Sequence, residues 1–145
     1  MSNIIPLISS GTTGPLGILH LPRLWQKVSL EIAGLLHPEY PGIGGGYDQM
    51  LLDAFGLKND AFSSFMQSKP TYPQLEAWVL EQKGGKLGAS VVEAFNASVV
   101  GYNHTDETRK EILEANGIED DGTIIDAVNL NNLDDWLGFH AKCIK

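Results

Sequence analysis

Apolar residues recur at three- and four-residue steps along most of the chain, and the runs break at residues that start or stop helices. The first run is Leu24, Trp25, Val28, Ile32, Leu35 and Leu36, opened by Pro22 and expected to end before Pro38. Gly44-Gly45-Gly46 opens a second run with Met50, Leu51, Ala54 and Phe55 inward and Gly56 as its stop. Asn59 is placed to cap a short helix carrying Phe62, Phe65 and Met66, closed before Pro70. Thr71 with Gln74 spells a capping box for a helix with Leu75, Trp78 and Val79, ended by Gly84-Gly85. Val91, Val92, Phe95 and Val99 predict a fifth helix, and Thr105 caps a sixth that stops at Asn116-Gly117. The last helix is expected from about Leu130 to His140, with Leu133, Trp136, Leu137 and Phe139 apolar.

Alternating patterns are scarce. Thr123-Ile124-Ile125 can form a short strand, but nothing pairs with it. The pattern therefore predicts an all-α fold, a single irregular bundle of six or seven short helices. Residues 1–20 read as an irregular N-terminal arm over apolar surface, and residues 21–145 as the helical domain.

Composition narrows the class. The chain has 145 residues, 43% of them hydrophobic and 19% charged, enough for a folded core and unlike a disordered chain. Between Asp106 and Asp135 ten acids face only Arg109 and Lys110, which accounts for the whole net charge of −8. Such a balance argues against nucleic acid and anionic membrane surfaces as partners. The single cysteine excludes an internal disulfide framework. Residues 1–22 carry no charge, yet Pro6, Gly11, Gly14, Pro15 and Gly17 interrupt any signal-peptide core, and no membrane span is legible. A cytoplasmic location is expected, and a homodimer stays open.

Motifs that announce a chemistry are missing. Gly42-Ile43-Gly44-Gly45-Gly46 lacks the spacing of a nucleotide cradle, although it sets backbone N–H groups at a helix start, where an anion can bind. No nucleophile elbow, C-x-x-C or H-E-x-x-H is present. Glu119-Asp120-Asp121-Gly122 lacks the alternation of a calcium loop, and His37 with Glu39 offers two metal ligands without a third. No metal and no cofactor are expected.

Arg23 is more informative. It is one of two arginines and follows 22 uncharged residues, within Leu21-Pro22-Arg23-Leu24-Trp25. A guanidinium in apolar surroundings needs a carboxylate or an anionic ligand. It pairs with an acid such as Asp48 or Asp134, or clamps a substrate carboxylate or phosphate, or is simply exposed.

Several short motifs then fall in a consistent order. They are Leu16-Gly17, Leu21-Pro22-Arg23 with Lys27, Glu39-Tyr40, Asp48-Gln49, Phe55-Gly56 and Leu133-Asp134-Asp135-Trp136-Leu137-Gly138-Phe139. From about Pro15 to Lys142 the chain resembles a family of small bacterial proteins, domain of unknown function 5069. The resemblance implies an opening L-P-R-x-x-D-K-x-R helix, where this chain has Gln26 for the aspartate and Ser29 for the second arginine. It also implies an aspartate at Asn132 and a small residue at His140. It brings no established reaction. Two lost charges and a gained imidazole suggest a retuned pocket.

The leading expectation is a small-molecule site, catalytic in a cofactor-free isomerase, cyclase or hydratase sense, for an anionic metabolite. Arg23, Tyr40 and Trp136 would bind the ligand, and Asp48 and His140 would move protons. The competing expectation is a non-enzymatic interaction module whose acidic C-terminal half docks a basic partner.

Overall fold

The computed structural model describes residues 3–145; Met1 and Ser2, the first residues of the expected arm, lie outside the described residues. Seven α-helices follow one another: α1 Leu21–Ile32, α2 Tyr47–Ala54, α3 Asn59–Met66, α4 Tyr72–Gln82, α5 Ala89–Val100, α6 Asp106–Ala115 and α7 Ala127–Phe139. A π-helical turn, His140–Ile144, continues α7. Among the described residues there is no strand, only three isolated bridges, so the all-α expectation holds. No helix among them is long and apolar enough to cross a membrane.

Each helix buries the face that its sequence period marks. Leu21, Leu24 and Val28 of α1 meet Leu51, Leu52 and Phe55 of α2 and Phe62 and Met66 of α3 in one core. Leu75 and Val79 of α4, Phe95 and Val99 of α5 and Ala127 of α7 complete it. Burying each of the larger side chains is worth roughly 1.5–3 kcal/mol. Phe55 and Phe95 meet edge-on at 5.4 Å, and Phe65 stacks on Trp78 at 4.9 Å. The Thr71–Gln74 capping box forms, with the Thr71 N–H donating to Gln74 Oε1 at 2.9 Å.

Three boundaries differ from expectation. Helix α1 ends at Ile32 rather than reaching Pro38, because Gly34 adopts φ 72° and the Leu35 N–H turns back to Leu30 O. Leu36 instead bridges to Ile4. Asn59 is the first residue of α3 rather than its cap, since its side chain bonds to Gln49. Helix α7 starts at Ala127, three residues early, because the Asp126 carboxylate accepts the Asn129 N–H and caps it. Thr123-Ile124-Ile125 stays irregular.

The segment before α1 has no ladder, so side chains satisfy its backbone. Gln26 accepts the Ile8 N–H, Glu76 the Leu16 N–H and Asn96 the Leu19 N–H. This stitching lays residues 5–20 across the bundle and delivers buried Ser10 and His20 to one end of α1.

Candidate functional site

At that end a cavity of about 310 Å³ opens between α1, the glycine loop before α2, and α7. Two buried charge networks form its floor. In the first, Asp48 accepts three hydrogen bonds: from His20 Nε2 at 2.5 Å, Lys27 Nζ at 2.5 Å and the Gly44 N–H at 2.7 Å. In the second, Arg23 grips Asp135 bidentately, Nη1 to Oδ2 at 2.6 Å and Nη2 to Oδ1 at 3.2 Å. Tyr40 donates its hydroxyl to the same carboxylate at 2.8 Å. Arg23 and Lys27 stand one turn apart on α1, which puts both cations on one face.

Local structure explains each placement. His20 caps α1 in the left-handed region at φ 73°, a conformation that costs a non-glycine residue on the order of 1–2 kcal/mol. It is held there because its buried ring is claimed at both nitrogens. Nε2 faces Asp48, and Nδ1 lies 2.9 Å from Ser10 Oγ. A carboxylate only accepts, so Nε2 carries the proton. The loop carrying Gly44 is pinned by Gly42, whose N–H donates to Glu31 Oε2 at 3.1 Å. A side chain at position 42 would collide with that carboxylate.

The electrostatics follow from burial and pairing. Burial pushes the His20 imidazole below its ordinary 6.5, so the ring is neutral near pH 7. Burial alone would raise Asp48, but the His20 hydrogen bond and the Lys27 ammonium outweigh it and hold the carboxyl at about 2. The Tyr40 phenol is raised by burial and by the Asp135 charge, and the Tyr47 phenol is pushed up to about 12, first by burial. Asp134, on the cavity rim, is raised by burial and by the neighbouring charges of Asp135 and Glu39.

Of the residues singled out in the sequence, Arg23, Tyr40 and Asp48 line this cavity. Arg23 is paired, but with Asp135 rather than with Asp48 or Asp134. The structure does not bring Trp136 or His140 to the cavity. Trp136 points away from the core with 55% of its surface exposed, one helical position past inward-facing Asp135. His140 lies exposed on the terminal π-helical turn. Asp48 accepts from three donors and its carboxyl is held at about 2, an arrangement that fixes His20 and Lys27 in place.

Sequence reasoning passed over His20, Lys27, His104, Asn131 and Asp135. Lys27 carried a signal, a charge flanked in helical phase by Leu24 and Val28. Asp135 carried none that separated it from Asp134. On the opposite wall His104 Nε2 meets Asn131 Oδ1 at 2.7 Å, which leaves Nδ1 as the basic nitrogen. No group of three or more His, Cys, Asp or Glu among the described residues is placed to hold a metal.

A comparison with curated proteins finds no match. A family profile does match, over residues 9–135 of the 145, a span that holds every titratable residue of the cavity from His20 to Asp135. On that coverage the chain belongs to the family described as Domain of unknown function (DUF5069).

Proposed function

We propose that the protein binds a small anionic metabolite in this cavity, and that proton transfer to or from that ligand is its chemistry. The observation that carries the reading is Lys27. Its ammonium has three N–H donors and is buried, yet Asp48 is its one protein acceptor among the described residues. Buried donors without acceptors are costly, and these border an open cavity. Gly45 and Gly46 lie alongside at the start of α2, with open space where a side chain would stand, so backbone N–H groups can approach a ligand closely.

Charge limits the ligand. Arg23 and Lys27 face Asp48, Asp134 and Asp135 in the lining, so no net positive field draws a polyanion in. Directed donors at one end suit a singly charged group such as a carboxylate. The proton-transfer roles fall to His104 and Asp134, because both nitrogens of His20 and the Asp48 carboxylate are already engaged.

A thermal-shift screen against small carboxylates and phosphate monoesters tests this, because a ligand that binds only the native state raises its melting temperature. A carboxylate is expected to give the largest shift. Gly45→Ala should melt like the parent, its new methyl meeting nothing within 4 Å, but should lose most of the shift. An absence of shifts across the screen, or shifts untouched by Gly45→Ala, would remove the proposal.

A second reading has one observation in its favour. Trp136 and Phe139 are exposed three residues apart on α7, beside the acidic segment. That surface suits a partner with an apolar centre and a basic rim. Trp136→Ala should then leave carboxylate-induced shifts intact while weakening the binding of a basic, apolar-centred peptide followed by calorimetric titration.

A further inference from the structure

We propose that a second, apolar cavity on the far side of α1 binds a small hydrophobic carboxylate, with Lys69 meeting its charge. The cavity has a volume of about 250 Å³ and is walled by Trp25, Ile32, Met66 and Pro70, with Ser29 and Lys69 as its polar members. A helix turns about 100° per residue, so Trp25, Ser29 and Ile32 face away from Arg23 and Lys27. The two cavities share no residue, and this proposal does not rest on the reading of the first.

Three observations define the ligand. The Trp25 Nε1–H already donates to Pro70 O at 3.0 Å, so the indole is a fixed apolar wall with no free donor. Lys69 has no ion pair and no side-chain hydrogen bond among the described residues, which leaves one uncompensated cation at the mouth. Its backbone sits at φ 56°, with its N–H on Met66 O at 3.0 Å as the chain leaves α3. Glycine would occupy that position without strain, yet the chain keeps a lysine whose side chain borders the cavity. An apolar body with one acidic end fits these walls. The volume lies below the range for drug-sized ligands, so the acid is short-chain or single-ring.

The test uses octanoate and benzoate as probes, with 1-octanol and benzyl alcohol as their neutral counterparts. Binding is followed by the Trp25 indole N–H resonance. Saturable shifts are expected with the acids, about tenfold tighter than with the alcohols, as one charge-assisted hydrogen bond provides. Lys69→Gly should raise the melting temperature by relieving the left-handed strain while erasing the preference for acid over alcohol. Gly45→Ala should leave these shifts unchanged, which separates this site from the first. Equal affinity for acid and alcohol would mean that the cavity is merely greasy and would overturn the proposal. So would an unmoved Trp25 resonance, or a Lys69→Gly variant that still prefers the acids.

Discussion

Arg23 and Arg109 are the chain's two arginines, and each holds a carboxylate, but they lie in opposite halves of the sequence. Arg23 is buried at the cavity floor, where Asp135, two backbone carbonyls and the Tyr40 hydroxyl complete a closed network. Arg109 lies along α6, bridging Asp106 at 2.9 Å and Asp120 at 3.1 Å, with the Asp106 side chain 80% exposed. Water and salt compete for the second pair and hardly reach the first. The difference extends to the helices. Helix α1 buries six of its twelve residues, whereas α6 buries Leu113 alone. The same kind of ion pair is fully enclosed in one place and only partly covered, with one exposed partner, in the other, and burial sets how much each contributes.

The comparison breaks if Arg23 can be removed cheaply. Arg23→Ala strands Asp135 in the interior, and the loss in chemical denaturation should be on the order of 3–5 kcal/mol. Asp135→Asn, which keeps the shape and a hydrogen-bond acceptor, should cost less than that. A result near zero for Arg23→Ala would mean that water reaches the pair.

Acid sharpens the contrast next. His20 has a folded pKa below its unfolded 6.5, so the unfolded chain takes up that proton first and stability falls as the pH drops below about 6.5. Asp48 has a folded pKa of about 2 against an ordinary 3.8, so its contribution is present above about 4 and is lost as the pH falls from there towards 2. Urea midpoints measured from pH 8 to 2 should therefore decline in two stages. His20→Gln should remove the upper stage.

The smallest effect belongs to the surface. Arg109→Ala should shift the melting midpoint slightly at low ionic strength and not measurably in 1 M salt, where the screening length is about 3 Å. The Arg23→Ala deficit should persist at both. If the two variants respond to salt alike, the distinction between the two networks is wrong.

Local physics was legible in the sequence, and long-range partnership was not. The Thr71–Gln74 box, the Thr105 cap and the seven helices all follow from residues within a few positions of one another. Helix α1 was read too long because Leu35 and Leu36 continue its apolar rhythm, and only the left-handed turn at Gly34 cancels it. The site was half legible. Arg23 announced itself as a charge in apolar company, and Tyr40 and Asp48 stood in the short motifs that carry the family resemblance. The partner of Arg23 was misread because Asp134 and Asp135 are chemically alike, and one helical step decides which of them turns inward. His20 was silent because nothing in a sequence says that a histidine before Pro22 will take a glycine-like conformation to reach an aspartate 28 residues away. Trp136 and His140 misled for the converse reason, since an apolar rhythm near a chain end does not require burial.

The span of 112 residues between Arg23 and Asp135 has a consequence for how the molecule is made. At roughly 5–20 residues per second, a ribosome delivers the carboxylate several seconds after the guanidinium. Helices α1 to α4 have all been synthesised by then, with Arg23 still without its counter-charge. The cavity thus has no complete wall until α7 is made. During that interval the nascent chain carries the guanidinium without the carboxylate that neutralises it. A chain cut short before Asp135 would lack both the counter-charge of Arg23 and one wall of the cavity.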